Sequence, residues 1–268
     1  MTVVLGIDAA WTPTEPSGVA VARHTAAGWR ACGLAPSYAA FLRLADGHAV
    51  DWSGTAPAGE PPPVPALLAA AERLAGAAVT VVALDMPIAR GPFSTRREAD
   101  NAISRAFGSR ACSTHSPTAD RPGAMGRALT TDLEALGFTV ATTAPRSGTK
   151  HALEVYPHTA LLTLLGRARR VPYKSGNSTK YWPGLPATDR RALLLTELHQ
   201  MHAALTAVLG PFVLPLPTPT SPGTLRALKR YEDALDALIC AWVATAFLDG
   251  RATAYGDTFA AVWTPAAL

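Results

Sequence analysis

Val3-Val4-Leu5-Gly6-Ile7-Asp8 is the segment from which the architecture can be built. It is apolar without alternation and too short for a core helix, so it predicts a fully buried strand over residues 2–8. It ends on a carboxylate. A second stretch repeats the design: Val79-Thr80-Val81-Val82-Ala83-Leu84 runs into Asp85 and is stopped by Met86-Pro87. Two more acids, Asp233 and Asp236, open the apolar segment that continues to Trp242. An acid at the end of a buried strand is costly unless it is paired, hydrogen-bonded or bound to a metal. Recurrence of that placement at distant points of one chain predicts that a single ion draws the acids together.

After the first strand, Thr12 to Gly18 reads as a turn rich in Pro, Ser and Gly, and Val19-Ala20-Val21-Ala22 returns as an antiparallel partner. A third strand is expected over Trp29 to Leu34 and a helix over 37–46. The Pro/Gly-rich run from Ser53 to Pro63 reads as a mobile surface loop. A helix over Pro65 to Ala75 leads into the strand that ends at Asp85. Helices are then expected at 95–107 and 123–136, a strand at Phe138–Thr142, and a strand-like Glu154-Val155-Tyr156 that turns helical after Pro157. A polar loop covers 171–187, helices follow at 188–209 and 223–248, and a short strand near Ala260–Trp263 closes the chain. Strands alternating with helices after an opening meander predict an α/β protein: one domain over 1–268, with an elaborated middle at about 95–210.

The 268 residues can bury a sizeable core. Hydrophobic residues make up 49% and charged residues 16%, below the roughly 25% charged share of ordinary domains, which excludes disorder. A net charge of +4 permits nucleic-acid contact without arguing for it. Cys32, Cys112 and Cys240 are odd in number and far apart, so they outline neither a disulfide framework nor a zinc site, and a cytoplasmic location is expected. No signal peptide is read at the N-terminus. The longest apolar run, Ala234 to Leu248, contains Asp236 and is too short for a bilayer, so no membrane contact is expected.

In open α/β sheets, ligands gather beyond the carboxyl ends of the strands, where Asp8 and Asp85 lie. Asp233 and Asp236 are three apart and share a helix face. Oxygen ligands of this kind suit Mg²⁺ or Mn²⁺. Taken singly, each acid has a plainer role, as a turn cap or as a complement to a helix dipole. Four such coincidences in one chain favour the joint reading.

These motifs resemble the DUF429 family, predicted nucleases of the ribonuclease H-like superfamily. The resemblance spans nearly the whole chain. It is carried by Gly6-Ile7-Asp8-Ala9-Ala10-Trp11, Ser17-Gly18-Val19-Ala20-Val21, Ala83-Leu84-Asp85-Met86-Pro87-Ile88 and Arg97-Glu98-Ala99-Asp100. Glu154-Val155-Tyr156-Pro157-His158 and Tyr231-Glu232-Asp233-Ala234-Leu235-Asp236-Ala237 complete it. It implies a ribonuclease H-like mixed sheet, a three-stranded antiparallel meander plus parallel strands, flanked by helices. It also implies metal-ligand positions at Asp8, Asp85, Asp233 and Asp236. Many nucleases of this superfamily carry Glu where this chain has the shorter Asp85, which leaves one metal or two open.

Around the acids, Arg97 is expected to grip a phosphate, with Glu154 and Lys174 as further substrate-side groups. Local pairing of Arg96 and Arg97 with Asp100 is the plainer alternative. His158 is expected as a surface histidine at a helix start. Arg167, Arg169, Arg170, Lys174 and Lys180 surround Tyr173, Tyr181 and Trp182, a composition that suits flexible nucleotides but more often marks a solvated loop. Ser113-Thr114-His115 and His199-x-x-His202 lack the context of a nucleophile elbow or a zincin helix. No Walker loop or dinucleotide fingerprint is present.

The activity these residues predict is metal-dependent phosphodiester hydrolysis, in which carboxylate-held Mg²⁺ or Mn²⁺ activates water for attack on phosphorus. The partner is then nucleic acid or another phosphoester. Two alternatives stand beside it. One is a nucleotide-binding phosphotransferase of the actin or sugar-kinase type, which also opens with a Gly-Ile-Asp strand; the other is a non-catalytic scaffold.

Overall fold

Strand β1 (Val3–Asp8) is buried along its length until Asp8, and the sheet is built around it. The structure is a computed structural model and describes residues 1–54, 58–118, 121–122 and 124–266. β1 pairs antiparallel with β2 (Gly18–Thr25), which pairs antiparallel with β3 (Gly28–Ala35). Its other edge takes β4 (Val79–Leu84) in parallel. Beyond β4 lie β6 (His151–Val155) and β8 (Ala261–Pro265), both parallel, and β7 (Ala252–Gly256), antiparallel at the far edge. The order is β3-β2-β1-β4-β6-β8-β7. A strand has two edges, and β4 takes one edge of β6. The two-residue β5 (Thr139–Val140) and β8 therefore share the other, β5 beside His151 and Ala152, β8 beside Glu154 and Val155.

Side chains alternate across this sheet. Val4, Ala20, Val81, Ala83, Leu153 and Val155 pack on one face beneath α5 (Pro157–Leu164), α7 (Ala187–Leu209) and α8 (Lys229–Leu248). Val3, Leu5, Ile7, Val82 and Leu84 pack on the other beneath α1 (Tyr38–Ala45), α2 (Val64–Ala75) and α4 (Ala124–Ala135). α3 (Glu98–Phe107) packs against β7 and β8 through Ala99, Ile103 and Phe107. This α/β sandwich, a meander followed by parallel strands with helices on both faces, is the architecture expected from the sequence and is consistent with a ribonuclease H-like fold.

α8 is buried from Arg230 to Phe247, as a helix without a polar face must be. It lies unusually close to the sheet because two strand residues are glycine. A Cβ at Gly6 would overlap the Ala237 carbonyl oxygen and the Ala241 nitrogen, and one at Gly18 would overlap the Asp233 carbonyl.

Several elements differ from the sequence-based expectation. The helix expected over 223–248 starts at Lys229 after a 3₁₀ turn over Arg226–Leu228, so Glu232 is the acid in its first turn. Asp233 and Asp236 lie deeper, which removes the helix-dipole explanation. β7 follows Gly250 in a half-exposed stretch whose hydropathy carries no strand signal; its pairing with β8 makes it a strand. β6 begins at His151, three residues before the expected start, and the strand expected over Phe138–Thr142 contracts to β5. The polar loop over 171–187 contains the short helix α6 (Ser178–Tyr181). Of the loop expected from Ser53 to Pro63, residues 55–57 lie outside the described residues, as does residue 123 at the expected start of α4. Just before that loop, Trp52 is buried and stacks on Tyr231 at 5.6 Å. Among the described residues, no helix is long and apolar enough to cross a membrane.

Candidate metal centre

The same alternation brings three acids together. Val4, Gly6 and Asp8 point to the α8 face of β1, and Val81, Ala83 and Asp85 to that face of the β4 chain. Parallel pairing of Gly6 with Ala83 and Ile7 with Leu84 sets Asp8 beside Asp85, and the Asp85 N–H donates to the Ile7 carbonyl at 2.9 Å. α8, held close by Gly6 and Gly18, lowers Asp236 onto the pair. One carboxylate oxygen from each of Asp8, Asp85 and Asp236 lies within 4.8 Å of the others. Asp8 and Asp85 are partly exposed at the strand ends, whereas Asp236 is completely buried.

Asp233 does not join the three. Four residues on from Lys229, it forms an ion pair with that lysine, and its Oδ2 is buried with no hydrogen-bond partner among the described residues. Lys229 also donates to Glu232 Oε1 at 3.0 Å. A second ammonium, Lys174, pairs with Asp236 Oδ2 and lies 3.4 Å from Glu232 Oε1. The Tyr173 hydroxyl donates to Asp236 Oδ1 at 2.7 Å, and the Ser175 N–H and hydroxyl donate to Glu232 Oε2 at 2.8 and 2.9 Å. Lys174, expected as a substrate-side group, is thus tied to the acids themselves. Lys229 and Glu232 carry roles that sequence reasoning missed, although the spacing Lys229, Glu232, Asp233 fits ion pairs along one helix face.

Five carboxylates, Asp8, Asp85, Glu232, Asp233 and Asp236, face two ammoniums, Lys174 and Lys229. Burial, then the neighbouring Asp8, holds the Asp85 carboxyl well above the usual carboxylate range. Burial also raises Asp233 strongly, against the pull of Lys229. Asp236 is pushed up to about 7 by burial, which Lys174 only partly offsets. Glu232 ends below its ordinary value, because the two lysines and the Ser175 N–H outweigh its burial. Among the described residues, the hydrogen bonds of this cluster end on Glu232, Asp233 and Asp236 and leave the side chains of Asp8 and Asp85 open. An all-oxygen donor set with excess negative charge and two open carboxylates fits a hard divalent cation.

The other expected site residues occupy a neighbouring network. Arg97 does not stand free for a phosphate. Its side chain is buried and donates to Glu154 Oε1 and Oε2 at 2.7 and 2.6 Å, to Asp100 Oδ1 at 2.9 Å and to the Ile88 carbonyl at 2.7 Å. Local pairing with Asp100 is therefore the reading the structure supports. Glu154 pairs in register with Leu84 and so faces away from α8 by parity; Val155 takes the face that Asp85 uses. The Ile88 N–H completes its partners at 2.9 Å. His158 is buried rather than on the surface, 2.6 Å from the Arg170 guanidinium. Between this network and the acids lies a pocket of about 60 Å³, bounded by Asp85, Asp100 and Glu154 and walled by Trp11, His115 and Tyr156. His199 meets the Pro217 carbonyl and His202 stacks edge-on with Phe212, so neither marks a metal site.

A mixed α/β sheet with carboxylates gathered at the carboxyl ends of adjacent parallel strands defines the class: an open α/β fold whose acids lie where such folds commonly receive ligands. Residues 6–259 match the family model "Protein of unknown function (DUF429)", and the chain belongs to that family. Comparison with curated proteins and with solved structures finds no match.

Proposed function

We propose that the protein is a metal-dependent phosphodiesterase, a nuclease in the broad sense, that works with Mg²⁺ or Mn²⁺ at Asp8, Asp85 and Asp236. The observation that carries this reading is the convergence of three carboxylates from β1, the end of β4 and α8 to within 4.8 Å, whose burial and mutual repulsion Lys174 and Lys229 offset only in part at Asp85. When bound, the ion supplies positive charge that polarises a phosphoryl oxygen and makes water a better nucleophile. Asp8 and Asp85 offer the open oxygens. Asp236 is held in one rotamer by Tyr173 and Lys174, so its position is fixed before any ligand arrives. The pocket beside Asp85 gives a substrate a place to lie against Trp11 and Tyr156, whose rings suit a planar group.

The test is cleavage of single-stranded, duplex and junction oligonucleotides and of a small phosphodiester, in Mg²⁺, in Mn²⁺ and in chelator. Cleavage by the wild type with either metal, lost in chelator and in Asp8→Asn while circular dichroism is unchanged, is the expected result. Cleavage that persists in Asp8→Asn, or no hydrolysis of any of these substrates, removes the proposal.

A further inference from the structure

Lys174 lies among the acids of the centre, paired with Asp236 and close to Glu232. It comes from the segment between α5 and α6 and reaches across to α8, and its two neighbours fix it there. Tyr173 is completely buried with its hydroxyl on Asp236, and Ser175 donates twice to Glu232. The ammonium between them pairs with Asp236 Oδ2 and lies 3.4 Å from Glu232. Its side chain is only 19% exposed, and two carboxylates take its charge. A centre with two ions needs carboxylates that give one oxygen to each ion, with the ions roughly 4 Å apart. Here both oxygens of the most buried acid are occupied, Oδ1 by a phenol and Oδ2 by an ammonium. What remains without a hydrogen-bond partner among the described residues is the Asp8 and Asp85 side, whose oxygens lie within 4.8 Å of one on Asp236.

We infer that Lys174 is the built-in second cation of the centre, so that the protein binds a single divalent ion and Lys174 holds Asp236 and Glu232 in place of another. The short side chain at Asp85 agrees with this, since a one-ion centre does not need a longer arm to reach a second site. Lys174 is a positioning residue in this account. It acts through Asp236 and sets how many ions the acids accept. The inference rests on the metal reading above.

The experiment is calorimetric titration with Mn²⁺ alone, without substrate, on the wild type, Lys174→Met and Lys174→Arg. The expected stoichiometry is one ion for the wild type, two for Lys174→Met and one for Lys174→Arg, which restores the charge. Two ions on the wild type overturn the inference, as does a Lys174→Met protein that takes one ion with unchanged affinity. If Lys174→Met does not fold, the wild-type stoichiometry decides alone. A wild type that binds no Mn²⁺ removes the metal reading itself, an outcome distinct from a count of two.

Discussion

Arg97 shows how one side chain can be assigned by its partners. Its guanidinium is 3% exposed and lies between Asp100 and Glu154, exposed 1% and 6%. Removing one partner of a buried ion pair costs about 3–5 kcal/mol, because the charges left behind have no solvent. Arg97→Met should therefore lower the unfolding free energy by about that amount in urea titration. A variant that keeps wild-type stability but loses only substrate affinity would return Arg97 to the phosphate-gripping role. Asp85 predicts the opposite sign. Its carboxyl is raised by burial and by Asp8, so the ionised form is a liability in the absence of metal. Asp85→Asn should raise metal-free stability by about 1 kcal/mol, a gain of the size seen when a functional site is relieved of strain. Lower stability in chelator would contradict this. The acids themselves were legible in the sequence, because a charge at the end of an apolar run is conspicuous. Their partners were not. Lys174 lies 62 residues from Asp236, and no local pattern links a loop lysine to a distant helix.

At the scale of elements, the centre depends on how closely α8 approaches β1. Gly6 lies on the face of β1 that also carries Asp8, and a methyl group there would overlap the α8 backbone at Ala237 and Ala241. Gly6→Ala should force the helix outward, costing about 1–3 kcal/mol or more, and should weaken Mn²⁺ binding because Asp236 moves with the helix. Unfolding and Mn²⁺ titration read the two effects separately; wild-type affinity in Gly6→Ala would show that the approach does not set the centre. α5 gives a pH prediction. His158, near its start, is buried, and that burial, followed by the nearby Arg170, holds its pKa well below the ordinary value near 6.5. The unfolded chain then binds a proton that the folded one refuses. The stability contributed by neutral His158 is complete above about pH 6.5 and falls as pH drops below it, by up to about 1.4 kcal/mol per pH unit. His158→Gln should flatten that fall between pH 6.5 and 5, and an unchanged slope would contradict the assignment. β1, β4 and the meander were readable because buried strands are written as apolar runs. β7 was not, since its half-exposed residues become a strand only through β8. Parity places Glu154 away from α8, but it could be applied only once the Leu84–Glu154 register was known.

At the scale of the whole molecule, a cation that binds the folded centre must stabilise the entire fold, because the unfolded chain scatters Asp8, Asp85 and Asp236 over more than two hundred residues. Binding restricted to the native state adds RT ln(1 + [L]/Kd), about 2.7 kcal/mol at one hundred times Kd. For a chain of this size, that should raise the melting temperature by on the order of 5 °C. The increment belongs to the centre and not to the architecture, so two variants separate them. Arg97→Met should melt at a lower temperature in chelator yet gain the full Mn²⁺ increment, since its network lies on the other side of the pocket from the acids. Asp8→Asn should melt at or above the wild-type temperature in chelator and gain almost nothing from Mn²⁺, because it removes a ligand and a repulsion together. Thermal melts of the three proteins in chelator and in Mn²⁺ check both statements. Equal Mn²⁺ increments in wild type and Asp8→Asn would mean that the ion binds elsewhere, and the strand-end acids would lose their claim to be the metal centre.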